Sequence, residues 1–242
     1  SARMPDGTYL YDFFTGATSS HVSRMYSGAT GLEDYPYIPT AWGGLGQEKP
    51  EPEFFVTTTS STSSFSFQIS AKGTYLIDWG DGNKETINKT DTTNTTYSHT
   101  YDSAGEYTIG IGGEATAYNT STSTAAISFS GNKNTAGISG SLGAIFGTLP
   151  SGTQPRFVST FSSNTNLTGE IPADLFAGIS GKPASYMFRY TFYGCSNLSG
   201  NIPENLFGNI SGAPASYMFY STFYGCSGLT GEIPLGLFGN LT

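Results

Sequence analysis

The chain has 242 residues, of which 12% are charged, and a formal net charge of −8 with ten Lys and Arg in all. That length allows one or two domains, and the charge balance excludes the basic footprint that nucleic acid or an anionic membrane selects. Charged residues stand at about half the usual share; Ser, Thr, Asn and Gly replace them, giving the hydroxyl- and amide-rich surface common on secreted proteins and fibres. No apolar run approaches the roughly 20 residues of a membrane helix, so membrane insertion is not expected.

In chain order, the first segment is residues 1–46. It starts Ser1-Ala2-Arg3-Met4-Pro5, so a secreted protein is expected here in mature, cleaved form. Its Phe14-Thr15-Gly16-Ala17-Thr18 and Tyr26-Ser27-Gly28-Ala29-Thr30-Gly31-Leu32 both echo a stretch near the other end, Phe223-Tyr224-Gly225-Cys226-Ser227-Gly228-Leu229. Residues 47–53, Gln47-Glu48-Lys49-Pro50-Glu51-Pro52-Glu53, are charged and proline-containing, and predict a linker.

Residues 54–130 alternate with period two in short runs: Phe65–Ile69, Tyr75–Trp79 and Tyr107–Ile111. Turn signals at Gly80-Asp81-Gly82 and Ser103-Ala104-Gly105 separate them. Short strands at this spacing predict an antiparallel sandwich. Trp79 is expected in its core, and Asp81 as the cap of a tight turn that Gly80 and Gly82 permit.

Residues 131–242 repeat. Gly169-Glu170-Ile171-Pro172 returns as Gly200-Asn201-Ile202-Pro203 and as Gly231-Glu232-Ile233-Pro234, a period of 31 residues. Thr191-Phe192-Tyr193-Gly194-Cys195-Ser196 returns as Thr222-Phe223-Tyr224-Gly225-Cys226-Ser227, and a degenerate earlier copy holds Phe161 and Asn166-Leu167-Thr168. Such a period predicts a solenoid whose units stack because none can bury its apolar face alone. Each unit is expected to carry an extended stretch such as Leu198–Ile202, a helical turn from Pro203 to Phe207, and a short helix over Ala215–Tyr224 stopped by Gly225. The predicted fold class is therefore mainly β with short helices: a solenoid plus a sandwich.

Two resemblances follow from these motifs. Ile77-Asp78-Trp79-Gly80-Asp81-Gly82, His99-Thr100-Tyr101 and Gly105-Glu106-Tyr107 together resemble a PKD (polycystic-kidney-disease) domain, which implies an extracellular immunoglobulin-like spacer or binding module. The Phe-x-Gly-Cys-Ser-x-Leu-x-Gly-x-Ile-Pro pattern over 138–242 resembles the BspA-type leucine-rich repeats of bacterial surface proteins. That resemblance implies surface display and attachment, and it brings no catalytic residues.

The two ends read as parts of one unit. The last unit stops in mid-repeat at Leu237-Phe238-Gly239-Asn240-Leu241-Thr242, and Thr8-Tyr9-Leu10-Tyr11-Asp12-Phe13-Phe14-Thr15-Gly16 supplies the missing stretch after a two-residue insertion. An uncapped solenoid end exposes apolar surface and strand edges, and a contact that does not close grows a filament. The expectation is head-to-tail homo-oligomerisation through Tyr9, Tyr11, Phe13, Phe14, Tyr26 and Leu32 on one copy and Leu237, Phe238 and Leu241 on the next. A fragment of a longer array is the competing reading.

Other candidate sites weigh less. Cys195 and Cys226 stand one period apart; parallel side-chain vectors in a ladder favour stacked free thiols over a disulfide. Asp78, Asp81 and Asp102 are too few and scattered for a Ca²⁺ site. His21 and His99 have no partners for zinc or a relay, no Gly-x-Ser-x-Gly elbow occurs, and no carboxylate pair is singled out. Neither catalytic residues nor metals nor cofactors are expected. The seven Asn-X-Ser/Thr sequons are what a chain this rich in those residues yields by chance. Tyr186, Phe188, Tyr190, Tyr193, Tyr217, Phe219, Tyr220 and Tyr224 form aromatic ladders, with Tyr190, Tyr193, Tyr220 and Tyr224 assigned to an outer face that could bind a glycan or a host surface protein. The function expected is thus a non-catalytic extracellular fibre or surface-layer subunit; the alternative is a monomeric adhesin or binding module of a bacterial surface or a phage fibre.

Overall fold

The structure, a computed structural model, describes residues 51–242 except Gly208 and Gly239. These residues are mainly β, in two open antiparallel sheets. The strands are β1 (Pro52–Thr58), β2 (Thr62–Ile69), β3 (Lys72–Asp78), β4 (Lys84–Lys89), β5 (Thr95–Gly105), β6 (Thr108–Ala117), β7 (Ile127–Ser128) and β8 (Thr135–Gly140). One sheet has the order β4-β3-β6-β1-β8 and the other β5-β2-β7.

Period-two alternation sets which side chains turn inward. Phe54 and Val56 of β1, Phe65, Phe67 and Ile69 of β2, Tyr75 and Ile77 of β3, and Ile109 and Ile111 of β6 are all buried in one core. Each such side chain contributes about 1.5–3 kcal/mol by leaving water. Pro52 opens β1 inside the stretch whose composition suggests a linker; the first residue of a strand is one that proline tolerates. β8 lies past residue 130, yet it pairs with β1 from Phe54–Gly140 to Thr58–Thr135.

The expectation of short helices is corrected. Among the described residues the only helix is α1 (Leu142–Ile145), capped by the Ser141 hydroxyl, which accepts from the Ala144 N–H at 3.2 Å. Residues 204–207 and 215–224 form tight turns instead. The cause is visible in the backbone: Tyr186, Tyr190 and Gly194 of one copy, and Tyr217, Ser221 and Gly225 of the next, have φ between 51° and 76°. Every fourth residue thus visits the left-handed region, which no α-helix can absorb.

This path divides the N–H groups between two uses. Arg189, Thr191, Tyr193 and Cys195 donate back three residues, to Tyr186, Phe188, Tyr190 and Phe192. The alternate residues Tyr186, Phe188, Tyr190, Phe192 and Gly194 donate to the next copy, at Ser216, Met218, Tyr220, Thr222 and Tyr224, over 2.7–3.0 Å. Phe157, Ser159, Phe161 and Ser163 donate in the same way to Met187, Arg189, Thr191 and Tyr193. Parallel bridges Gly169–Leu198, Asn201–Thr230, Gly181–Ile210 and Gly212–Leu241 tie the corners of successive copies.

Side chains follow the same rows. Phe129, Phe161, Phe192 and Phe223 stack with centroids 5.4–5.6 Å apart. Phe157, Phe188 and Phe219 form a second row, and Phe176, Phe207 and Phe238 a third. The buried Thr191 and Thr222 hydroxyls donate to the Phe157 and Phe188 carbonyls of the copy before, at 2.8 and 2.9 Å. The free, buried Cys195 and Cys226 thiols do the same to Phe161 and Phe192, both at 3.0 Å. Burial pushes these thiols up to about 12 and about 11 respectively.

Candidate functional site

The Trp-Gly-Asp-Gly turn is saturated with local bonds. Asp78 accepts from the Gly80 N–H at 3.1 Å and pairs with Lys84 at 2.7 Å. Asp81 accepts from the Asn83 N–H at 3.0 Å and meets His99 Nε2 at 2.7 Å. Gly80 has φ 82°, and a Cβ there would come within 2.5 Å of the Thr108 carbonyl oxygen. Trp79 is buried, donates from Nε1 to Glu85 at 3.0 Å, and stacks on His99. Tyr101 donates to the Trp79 carbonyl and stacks on Tyr107. These groups hold a turn and a core. Among the described residues, no group of three or more His, Cys, Asp or Glu side chains is placed to hold a metal ion, and no helix is long and apolar enough to cross a membrane.

The two ends of the repeat segment differ. At the N-terminal end, residues 126–131 stand in for a preceding copy: Ala126, Phe129 and Gly131 donate to the Arg156, Thr160 and Ser162 carbonyls at 2.7–2.8 Å. The same segment supplies β7, which pairs with Gln68 and Ile69 of β2. That end is sealed by the sheets.

At the C-terminal end, the N–H groups of Tyr217, Phe219, Ser221, Phe223 and Gly225 occupy the five positions that donate forward in the copy before. Among the described residues they have no partner. The same holds for the carbonyls of Ser227 and Gly231, whose equivalents Ser196 and Gly200 accept from Gly228 and Thr230. Apolar exposure concentrates at this end. Leu235 is 100% exposed, Ile233 72%, Tyr224 65%, Tyr217 59%, Tyr220 49% and Phe238 41%, whereas the next, Tyr193 in the copy before, is 36%.

Of the assembly residues read from the sequence, Leu237 is buried, Phe238 is exposed and stacked on Phe207, and Leu241 is half-buried beside Gly212. Tyr9, Tyr11, Phe13, Phe14, Tyr26 and Leu32 lie outside the described residues. Of the outer-face tyrosines, Tyr193, Tyr220 and Tyr224 are exposed and Tyr190 is half-buried. Tyr217 stands exposed beside them, and Ile233 and Leu235 add apolar surface that the ladder pattern does not point to. The Ile-Pro motif could have signalled the pair, since Ile171 is buried and Ile202 only half-buried one copy later, a trend toward exposure along the row.

No protein-family model, no curated protein and no solved structure matches this chain.

Proposed function

We propose that the chain is a structural subunit of an extracellular fibre or surface layer. In this reading residues 54–130 are a PKD-like β-sandwich, and residues 131–242 are a leucine-rich-repeat-like solenoid built on it. Subunits join head to tail: residues 1–46 of one copy lie along the open edge of another and complete its last repeat. The observation that carries the proposal is the row of five forward-facing N–H donors at Tyr217, Phe219, Ser221, Phe223 and Gly225, flanked by the exposed Tyr224, Leu235 and Phe238. Residues 8–16 echo the sequence that binds such a row in the earlier copies.

Each bond made there contributes about 0.5–1.5 kcal/mol net, and burial of the flanking apolar side chains adds to it. The contact is heterologous, so copies add one after another and grow a filament where the rotation does not close a ring. Multi-angle light scattering and negative-stain electron microscopy test the proposal. The full chain is expected to grow into polymers as concentration rises, and a variant lacking residues 1–46 to remain monomeric. A full chain that stays monomeric at high concentration contradicts it.

A further inference from the structure

The tyrosine face runs across two copies and reaches the open edge at Tyr217, Tyr220 and Tyr224, but other observations carry its argument. Three of its tyrosines sit where the backbone disfavours them: Tyr186 at φ 63°, Tyr190 at φ 58° and Tyr217 at φ 55°. At the position of Tyr190 the neighbouring copies hold Ser159 and Ser221, also at positive φ. The fold therefore does not require an aromatic ring there, and bulky residues at positive φ are strained outliers of the kind that gathers at binding sites.

The rings form one continuous platform. Tyr186 stacks on Tyr217 at 5.3 Å and Tyr193 on Tyr224 at 5.1 Å. Tyr190 meets Tyr193 and Tyr220 edge-on at 5.4 and 5.5 Å, and Tyr217 meets Tyr220 at 5.8 Å. Over this platform lies a cation. The Arg189 guanidinium is 5.0 Å from the Tyr186 ring and 4.8 Å from the Tyr190 ring. Among the described residues it makes no ion pair and no hydrogen bond, and its Nε is buried without a partner. Three carboxylates of the repeats stand elsewhere: Glu170, Glu204 and Glu232 line a groove at the Ile-Pro corner with Ile171, Ile202 and Leu235.

We propose that the tyrosine face binds a carboxylate-bearing polysaccharide. The C–H faces of successive sugar rings lie on the tyrosine rings, and a uronate carboxylate accepts from the Arg189 guanidinium, which is planar and forked to match it. Charge favours this occupant locally: among the described residues the Arg189 guanidinium lies over tyrosine rings with no acid paired to it. The chain's net charge of −8 opposes a polyanion overall, so the attraction comes from the local guanidinium contact, which salt screens.

The test is biolayer interferometry of the full chain over immobilised polygalacturonate, with its fully methyl-esterified form as the neutral control. The acid form is expected to bind and the ester to bind far less. Arg189→Ala is expected to weaken binding about tenfold or more, the usual worth of a hydrogen bond to a charged group. Tyr193→Ala, which removes an exposed ring one copy back from the open edge and leaves the core untouched, is expected to weaken it several-fold. No binding to the acid form, equal binding to the ester, or unchanged binding by a folded Arg189→Ala variant overturns the proposal. None of these outcomes bears on whether residues 1–46 drive polymerisation, which light scattering reads separately.

Discussion

The two ends of the repeat segment face the same physical problem and meet it differently. At residues 126–143 the sheets provide a substitute copy, so the first row of donors and the Phe129 ring are paired within the chain. Even the free flank of β2 is closed there: Asn132 and Asn134 amides donate to the Ser66 and Ser64 carbonyls at 2.8 and 2.9 Å. Side-chain amides placed on strand carbonyls blunt an edge that would otherwise template another chain. At residues 217–241 no such device closes the row among the described residues, and large apolar side chains gather beside it. One end is paired within the fold; at the other, the donor row and apolar side chains have no partner among the described residues.

Substitutions along the rows break or sharpen that contrast. Phe161 is fully buried between Phe129 and Phe192, so Phe161→Ala is expected to cost about 3–5 kcal/mol in urea unfolding. Its counterpart at the open end, Phe223, is half-buried, and Phe223→Ala is expected to cost about half as much in the monomer. Equal costs would mean that the open end is packed as tightly as the sealed one.

Removing both edge-closing amides, Asn132→Ala with Asn134→Ala, is expected to cost about 2 kcal/mol. It should also turn the β2 flank into a second association site, seen as off-axis aggregation by light scattering. Thr191→Val breaks the buried hydroxyl bond to the Phe157 carbonyl and is expected to cost about 1–2 kcal/mol. Thr222→Val, one copy nearer the open end, should cost less in the monomer and approach the Thr191 value in the polymer.

The smallest effect concerns the thiols. Cys195 titrates in the folded protein near 12 and Cys226 near 11, above the ordinary thiol value, because burial disfavours the thiolate. Their contribution to stability is therefore intact below about pH 9, the range in which the unfolded chain also keeps its thiols protonated. It is lost as pH climbs from there through the folded values. The urea midpoint is expected to fall between pH 8 and pH 10, and to fall less in Cys195→Ala/Cys226→Ala. Native protein at pH 8 should also resist alkylation until it unfolds.

Much of this architecture is legible in the sequence because it rests on two periodicities. Alternation marks the cores of β2, β3 and β6, and the 31-residue period places Phe192 over Phe161 and Cys226 over Cys195. The sheet edges are less legible. β4, with Lys84-Glu85-Thr86-Ile87-Asn88-Lys89, is too polar to announce itself, and β8 is recognisable only through its pairing with β1. The turns at 186–194 and 217–225 read as helical because Tyr, Met and Phe recur there without a breaker. The left-handed φ of Tyr186, Tyr190 and Tyr217 is imposed by bonds to neighbouring copies, which local propensity does not encode. The guanidinium of Arg189 lies over the Tyr186 and Tyr190 rings, at most three residues away, and Tyr186 in turn stacks on Tyr217 of the next copy.

The open edge is tested most directly by amide hydrogen exchange across residues 217–225, read in the full chain and in a variant lacking residues 1–46. The account predicts that the Tyr217, Phe219, Ser221, Phe223 and Gly225 amides become protected as the full chain is concentrated and stay fast-exchanging in the truncated variant. Rapid exchange at all five in concentrated full-length protein would contradict it.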